Sequence, residues 1–183
     1  LAQIASMPDT VAFWDGNISI PIVITDVVEL SALDLTVQYD EKILTVISTS
    51  FENTQLDGMS FTIATPDAPA PGEIRVLAYS FGSIFSGSGS LLYINFDVIG
   101  QLSESTSLIF TSIQVNEPDE EIGGMISLLE NALNGSVIIH QFGCMDVNAC
   151  NFDFNSTYDD GTCAYELDCF GDCGGDAIID CAG

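Results

Sequence analysis

Apolar and polar residues alternate with period two along most of the chain up to His140. Ile18, Ile20, Ile22 and Ile24 recur within Asn17 to Val27, and Leu33, Leu35, Val37 and Tyr39 alternate with Asp34, Thr36 and Gln38. The habit returns at Thr10 to Trp14, Ile43 to Ser50, Met59 to Thr65, Glu73 to Ser80, Ser90 to Val98, Ser107 to Val115 and Gly135 to His140. Alternation among β-branched and aromatic residues predicts half-buried strands. Turn chemistry separates them at Asp15-Gly16, Asp57-Gly58, Pro66 to Gly72, Gly82 to Gly89, Glu117-Pro118-Asp119 and Asn134-Gly135. Only Ile122 to Leu133 has room for a helical turn or two. The expectation is all-β: an antiparallel jelly roll or β-sandwich of about nine strands.

The pattern stops at residue 141. From Gly143 onward the chain is rich in Gly, Asp and Cys and poor in large aliphatics, and it holds all 6 cysteines. So short a segment buries too little surface to order itself without staples. We therefore expect two units, residues 1–141 and 142–183. Cys144, Cys150, Cys163, Cys169, Cys173 and Cys181 form an even set, which predicts disulfides and an oxidising, extracellular or cell-surface location. The pairing stays open. Zinc fits less well, because a paired CxxC layout and a nearby His are missing.

Charge narrows the partners. With 27 carboxylates against Lys42 and Arg75, the net charge is −25. Nucleic acid and anionic membrane surfaces would be repelled, and cations attracted. No apolar run is long enough to cross a membrane. Leu1 is expected to follow a processing site, and the Cys/Gly pattern to continue past Gly183. At 47% hydrophobic and 16% charged, the surface must include exposed aliphatics, as a partner surface would; the plain alternative is that the two inner faces of a sandwich use many aliphatics.

Two acidic runs suggest calcium. Asn151, Asp153, Asn155 and Thr157 sit at period two and lead into Asp159, Asp160 and Gly161. Loops that wrap calcium offer an oxygen at alternate residues and a glycine at a sharp turn. Asp168, Asp172, Asp176 and Asp180 are spaced by four among glycines, and close carboxylates repel one another unless a cation sits between them. A solvated acidic loop is the plain alternative in both places. The run Glu117, Asp119, Glu120, Glu121 reads as a solvated loop.

Catalytic chemistry finds little support. His140 is the only histidine, and no nucleophile-elbow glycine pattern accompanies any serine. Asn17, Asn134 and Asn155 begin Asn-x-Ser/Thr triplets, which are glycosylation sites only in a host that glycosylates.

Three stretches carry a family resemblance. "IPIVITDVVELSALDLTVQYDEKILTVIS", then "GSLLYINFDVIG", then "SIQVNEP" with a closing "NGSVIIH" resemble the cohesin family in order and spacing. Tyr39, Asp40 and Leu44 match its "YDPxxL" corner, with Glu41 in the place of the proline, and Gly89, Leu91, Ile94, Phe96 and Val98 match a later strand. The resemblance covers about residues 3 to 140 and implies a nine-stranded jelly roll. It further implies a dockerin-like partner received on the outward face of the strand before the corner, at Asp34, Thr36 and Gln38. The tail, "GCMDVNACNFDFNSTYDDGTC" and "DCFGDCGGDAIIDCAG", resembles Cys/Asp modules near the C-termini of secreted bacterial surface proteins, often marine.

These features predict a non-catalytic extracellular structural or adhesive module, of the kind that forms a fibre subunit, with a calcium-stiffened tail. Leu1 to Phe13 would then be an edge strand exchanged between copies. The alternative is a cohesin that holds a dockerin-like partner on an enzyme scaffold.

Overall fold

The computed structural model describes residues 3–64, 70–116 and 124–176. The strands are β1 (Ile4–Ser6), β2 (Asp9–Phe13), β3 (Asn17–Leu30), β4 (Ala32–Gln38), β5 (Leu44–Ser50), β6 (Thr62–Ala64), β7 (Glu73–Tyr79), β8 (Phe85–Val98), β9 (Ser105–Asn116), β10 (Met125–Ser127), β11 (Gly135–His140), β12 (Phe142–Gly143) and β13 (Tyr158–Asp159). One sheet runs β1-β3-β8-β5. The other runs β2-β11-β9-β4-β7-β6, with β10 also paired to β9. Together they make the jelly-roll sandwich that the alternation predicts.

The alternation works because each sheet has one inner face. Ile20, Ile22 and Ile24 of β3 meet Leu33, Leu35 and Val37 of β4 inside, with Ile94 and Phe96 of β8 and Ile113 and Val115 of β9. Each is essentially sealed from water. The Tyr39-Asp40-Glu41 corner is pinned by hydrogen bonds from its backbone. Tyr39 N donates to Gly72 O at 2.8 Å, and Leu44 N to Asp40 O at 3.0 Å. Asp40 N donates to Thr106 Oγ1 at 2.9 Å.

Three segments differ from expectation. The Gly82 to Gly89 run was expected as a turn, yet Phe85–Ser90 belongs to β8. Here β8 pairs with a bulged part of β3, whose register shifts between Ile24 and Val27 and again between Val27 and Leu30. Asp26 and Glu29 take left-handed backbone (φ 53° and 51°), so the buried positions become Val27 and Leu30 and the period of two is lost. Ser88 Oγ accepts from Asp26 N at 2.8 Å and Ser86 Oγ from Glu29 N at 2.9 Å. Gly87 and Gly89, both at φ 141°, supply backbone that other residues rarely adopt. In the expected Met59 to Thr65 strand, Met59 to Phe61 lie outside β6 and Thr65 lies outside the described residues, while the Ile122 to Leu133 stretch holds both β10 and a 3-10 turn at Leu129–Asn131.

The N-terminal segment serves both sheets of its own chain. β1 lies antiparallel on β3, and β2 lies parallel on β11. After β11 the chain enters the cysteine-rich tail, where β12 and β13 pair in parallel. Cys144 bonds to Cys163 and Cys150 to Cys173, and Cys169 is also disulfide-bonded. Cys181 and Asp180 lie outside the described residues, as do Glu117, Asp119, Glu120 and Glu121.

Candidate functional site

The outward face of β4 brings Asp34, Thr36 and Gln38 into one line, because their neighbours Leu33, Leu35 and Val37 point inward. Strand pairing extends the line sideways. Asp34 is opposite Leu77 of β7 and Gln114 of β9, and Thr36 is opposite Arg75 and Ser112. Residues directly opposite in an antiparallel pair share a face.

The centre of this face is an ion pair. Arg75 donates from Nε to Asp34 Oδ1 at 2.9 Å and from Nη2 to Asp34 Oδ2 at 2.5 Å. The bidentate bond runs diagonally between the two strands, since Arg75 is opposite Thr36, and fixes the guanidinium. Asp34 raises the Arg75 pKa, first through the hydrogen bond and then through its charge. Tyr79 continues the same row of β7 and meets Phe81 edge-on, with ring centroids 5.4 Å apart. Phe81 is 98% exposed. The face thus joins a fixed positive group, a polar row and an uncovered aromatic ring. Arg75, Tyr79 and Phe81 were not singled out from sequence. The available signal was Arg75 itself, one of two basic residues and placed in an alternating strand.

The residues expected to bind calcium sit elsewhere, in the tail. Asp153 Oδ1 accepts from Asn155 N at 2.9 Å, and Oδ2 from Gln141 Nε2 at 3.2 Å. Asp159 Oδ1 accepts from Gly161 N, and Asp160 Oδ1 from Thr162 N and Oγ1. Asn151 bonds to Ala164 N and Thr162 O. Thr157 Oγ1 contacts His140 Nδ1 and accepts from Gln141 N, while Asn155 is exposed. Asp168 Oδ1 accepts from Phe170 N and Asp172 N, and Asp172 and Asp176 are exposed. Among the described residues, no three His, Cys, Asp or Glu side chains converge as a metal site. Side-chain oxygens here cap backbone turns of the type that Asp and Asn favour.

These turns depress carboxyl pKa values. The Asn155 amide holds Asp153 below the usual carboxylate range, the Asn148 amide does so for Asp146, and the Thr162 hydroxyl for Asp160. Of the glycosylation candidates, Asn17 Nδ2 donates to Asp97 Oδ1 at 2.8 Å and Asn134 Oδ1 accepts from Phe110 N at 2.9 Å.

The family model described as "Cohesin domain" matches residues 8–131. This chain belongs to the cohesin family. Among solved structures, the cohesin resembles a non-cellulosomal cohesin from the hyperthermophilic archaeon Archaeoglobus fulgidus, with 21% identity, TM-score 0.56, and coverage of 76% of this chain and 91% of that one. It also resembles the sixth cohesin of scaffoldin B from Acetivibrio cellulolyticus, solved with a Cel5 dockerin, at 17% identity and TM-score 0.60, covering 76% and 99%. A cohesin module from a family 33 glycoside hydrolase of Clostridium perfringens matches at 17% identity and TM-score 0.60, covering 75% and 96%. At these identities the likeness is one of fold. No curated protein matches the chain.

Proposed function

We propose that this cohesin is a non-catalytic extracellular binding module that receives a dockerin-like protein partner on the outward face of β4, β7 and β9. The Arg75–Asp34 pair, with the uncovered Phe81 ring packed on Tyr79 farther along the same row of β7, carries this reading. Exposed aromatics and oriented arginines are the residue types that dominate binding energy at protein interfaces. Asp34, Thr36 and Gln38 supply the polar row beside them. Family membership and the Acetivibrio cohesin solved with a dockerin support the choice of partner. Disulfides support an oxidising compartment. The tail would act as a spacer that sets this face at a distance from neighbouring modules.

The experiment is a binding series against a panel of purified dockerins, measured by calorimetry with the intact chain. Phe81→Ala should weaken binding by about 2 kcal/mol, and Arg75→Glu should abolish it. Equal affinity in both variants, or no binding to any dockerin, would sink the proposal.

A second reading, a fibre subunit, draws on the position of β1 and β2. Both lie at sheet edges, and β2 contributes a parallel strand along β11. The same strand from another copy could fill that place. Electron microscopy separates the readings: filaments that vanish when the first 13 residues are deleted would support the fibre.

A further inference from the structure

The sheet on the other side of the sandwich carries a second outward surface, remote from Arg75. Its centre is a ladder of polar cross-strand bonds on β3, β8 and β5. Asn17 Nδ2 donates to Asp97 Oδ1 at 2.8 Å, Ser19 Oγ to Asn95 Oδ1 at 2.7 Å, and Asn95 Nδ2 to Ser48 Oγ at 3.0 Å. Asn95 therefore spans three strands. Tyr93 follows on the same face of β8, opposite Pro21 of β3 and Ser50 of β5, and is half-buried.

Beyond Ser50 the chain builds a wall along this surface. Asn53 takes left-handed backbone at φ 59°, and its N–H donates to Asp57 Oδ2 at 2.9 Å. Thr54 Oγ1 donates to Phe51 O at 2.6 Å, and Leu56 N to Thr54 Oγ1 at 3.2 Å. Gln55 N reaches Ser90 O at 2.9 Å and ties the loop to β8. Glu52 and Asn53 stand exposed on this braced loop. With Ser19, Ser50, Tyr93 and Asn95 they line a groove of about 380 Å³.

The lining selects a class of ligand. It offers one phenol ring, two amides, two serine hydroxyls and a carboxylate, and no Lys, Arg or His. An anion would meet an uncompensated carboxylate on a chain of net charge −25. A wholly apolar ligand would strip water from amides and a carboxylate that it could not satisfy. A neutral ligand dense in hydroxyls, with apolar C–H faces, matches both parts. Its hydroxyls bond to the amides and Glu52, and its C–H face lies on Tyr93. The strands hold Ser19, Ser50, Tyr93 and Asn95, and the bonded loop fixes the backbone that carries Glu52 and Asn53, so little backbone ordering remains on binding. We propose that this groove binds a neutral saccharide chain.

The intact protein is run through native gels containing hydroxyethylcellulose, xylan, galactomannan or laminarin, with polygalacturonate as the anionic comparison. Positive cases are followed by calorimetry with the matching hexasaccharide. At least one neutral polymer should retard the protein and polygalacturonate should not. Tyr93→Ala should raise the Kd at least about tenfold, which is about 1.4 kcal/mol. Glu52→Ala combined with Asn53→Gly should also weaken binding. That pair leaves the sheet intact, and glycine accepts the backbone of Asn53, so the test stands even if Tyr93→Ala fails to fold. Arg75→Glu should leave sugar binding unchanged, so failure of the dockerin reading would not touch this result. No retardation by any neutral polymer, equal retardation by polygalacturonate, or undiminished binding in the loop variant would each overturn the proposal.

Discussion

The Phe13 and Phe142 rings lie with centroids 4.0 Å apart and planes tilted by 32°. Phe13 ends β2 and Phe142 opens β12, so this contact joins the sandwich edge to the tail. Tyr158 packs on Phe142 at 4.9 Å and near His140 at 5.4 Å. The tail therefore rests on the sandwich through an aromatic cluster as well as through the chain.

Truncating that cluster should free the tail. Phe142→Ala is expected to cost about 1–2 kcal/mol of docking, while the sandwich keeps its own core. Limited proteolysis would show faster cutting after Gln141 and an unchanged sandwich fragment. A pattern identical to the parent protein would show that the cluster does not hold the tail.

Reduction should act on the same segment by another route. The two described disulfides have sequence separations of 19 and 23 residues, and each such loop stabilises by about 3 kcal/mol. Residues 144–176 lack a core of their own large enough to replace this. Hydrogen exchange after reduction should rise there first, with β4 and β9 still protected.

Gly72→Ala should destabilise the sandwich corner. Gly72 has φ +73°, and a Cβ there would sit 2.6 Å from Tyr39 O. Left-handed backbone in a non-glycine residue costs about 1–3 kcal/mol, and the overlap with Tyr39 adds to it. Thermal unfolding measures the loss; an unchanged midpoint would mean that the corner relaxes freely.

Acid should loosen the tail. Asp146, Asp153 and Asp160 have lowered pKa values in the folded chain, each through bonds that favour the charged carboxylate. Their contribution is complete above the ordinary carboxylate range and is lost as pH falls through the lowered folded values. Amide signals of Asn148, Asn155 and Thr162, followed by NMR, should shift in that acidic window and stay constant near neutrality.

Calcium stiffening of the tail remains a proposal with a direct check. A bound ion would slow amide exchange across residues 151–162 relative to chelator-treated protein. Identical exchange under both conditions would show that no bound ion orders residues 151–162.

Much of this architecture was legible in the alternation of apolar residues. Ile20, Ile22 and Ile24 are buried as the pattern requires, because a pleated strand with one wet face imposes period two. The pattern failed at Asp26 to Leu30 and at Gly82 to Gly89. There, left-handed residues and serine hydroxyls carry the pairing, and composition alone reads as a turn. The line of Asp34, Thr36 and Gln38 was also visible, since it follows from alternation within one strand. The place of Arg75 beside Asp34 was not, because it depends on which strand lies next to β4.

Period and composition by themselves determined a two-faced β body, a cysteine-dependent tail and a strongly negative chain, since those depend on local spacing and residue type. Only the tertiary structure settles which cysteines pair and which strands extend the outward face of β4. Those outcomes turn on contacts between residues far apart in sequence, where neither spacing nor propensity acts.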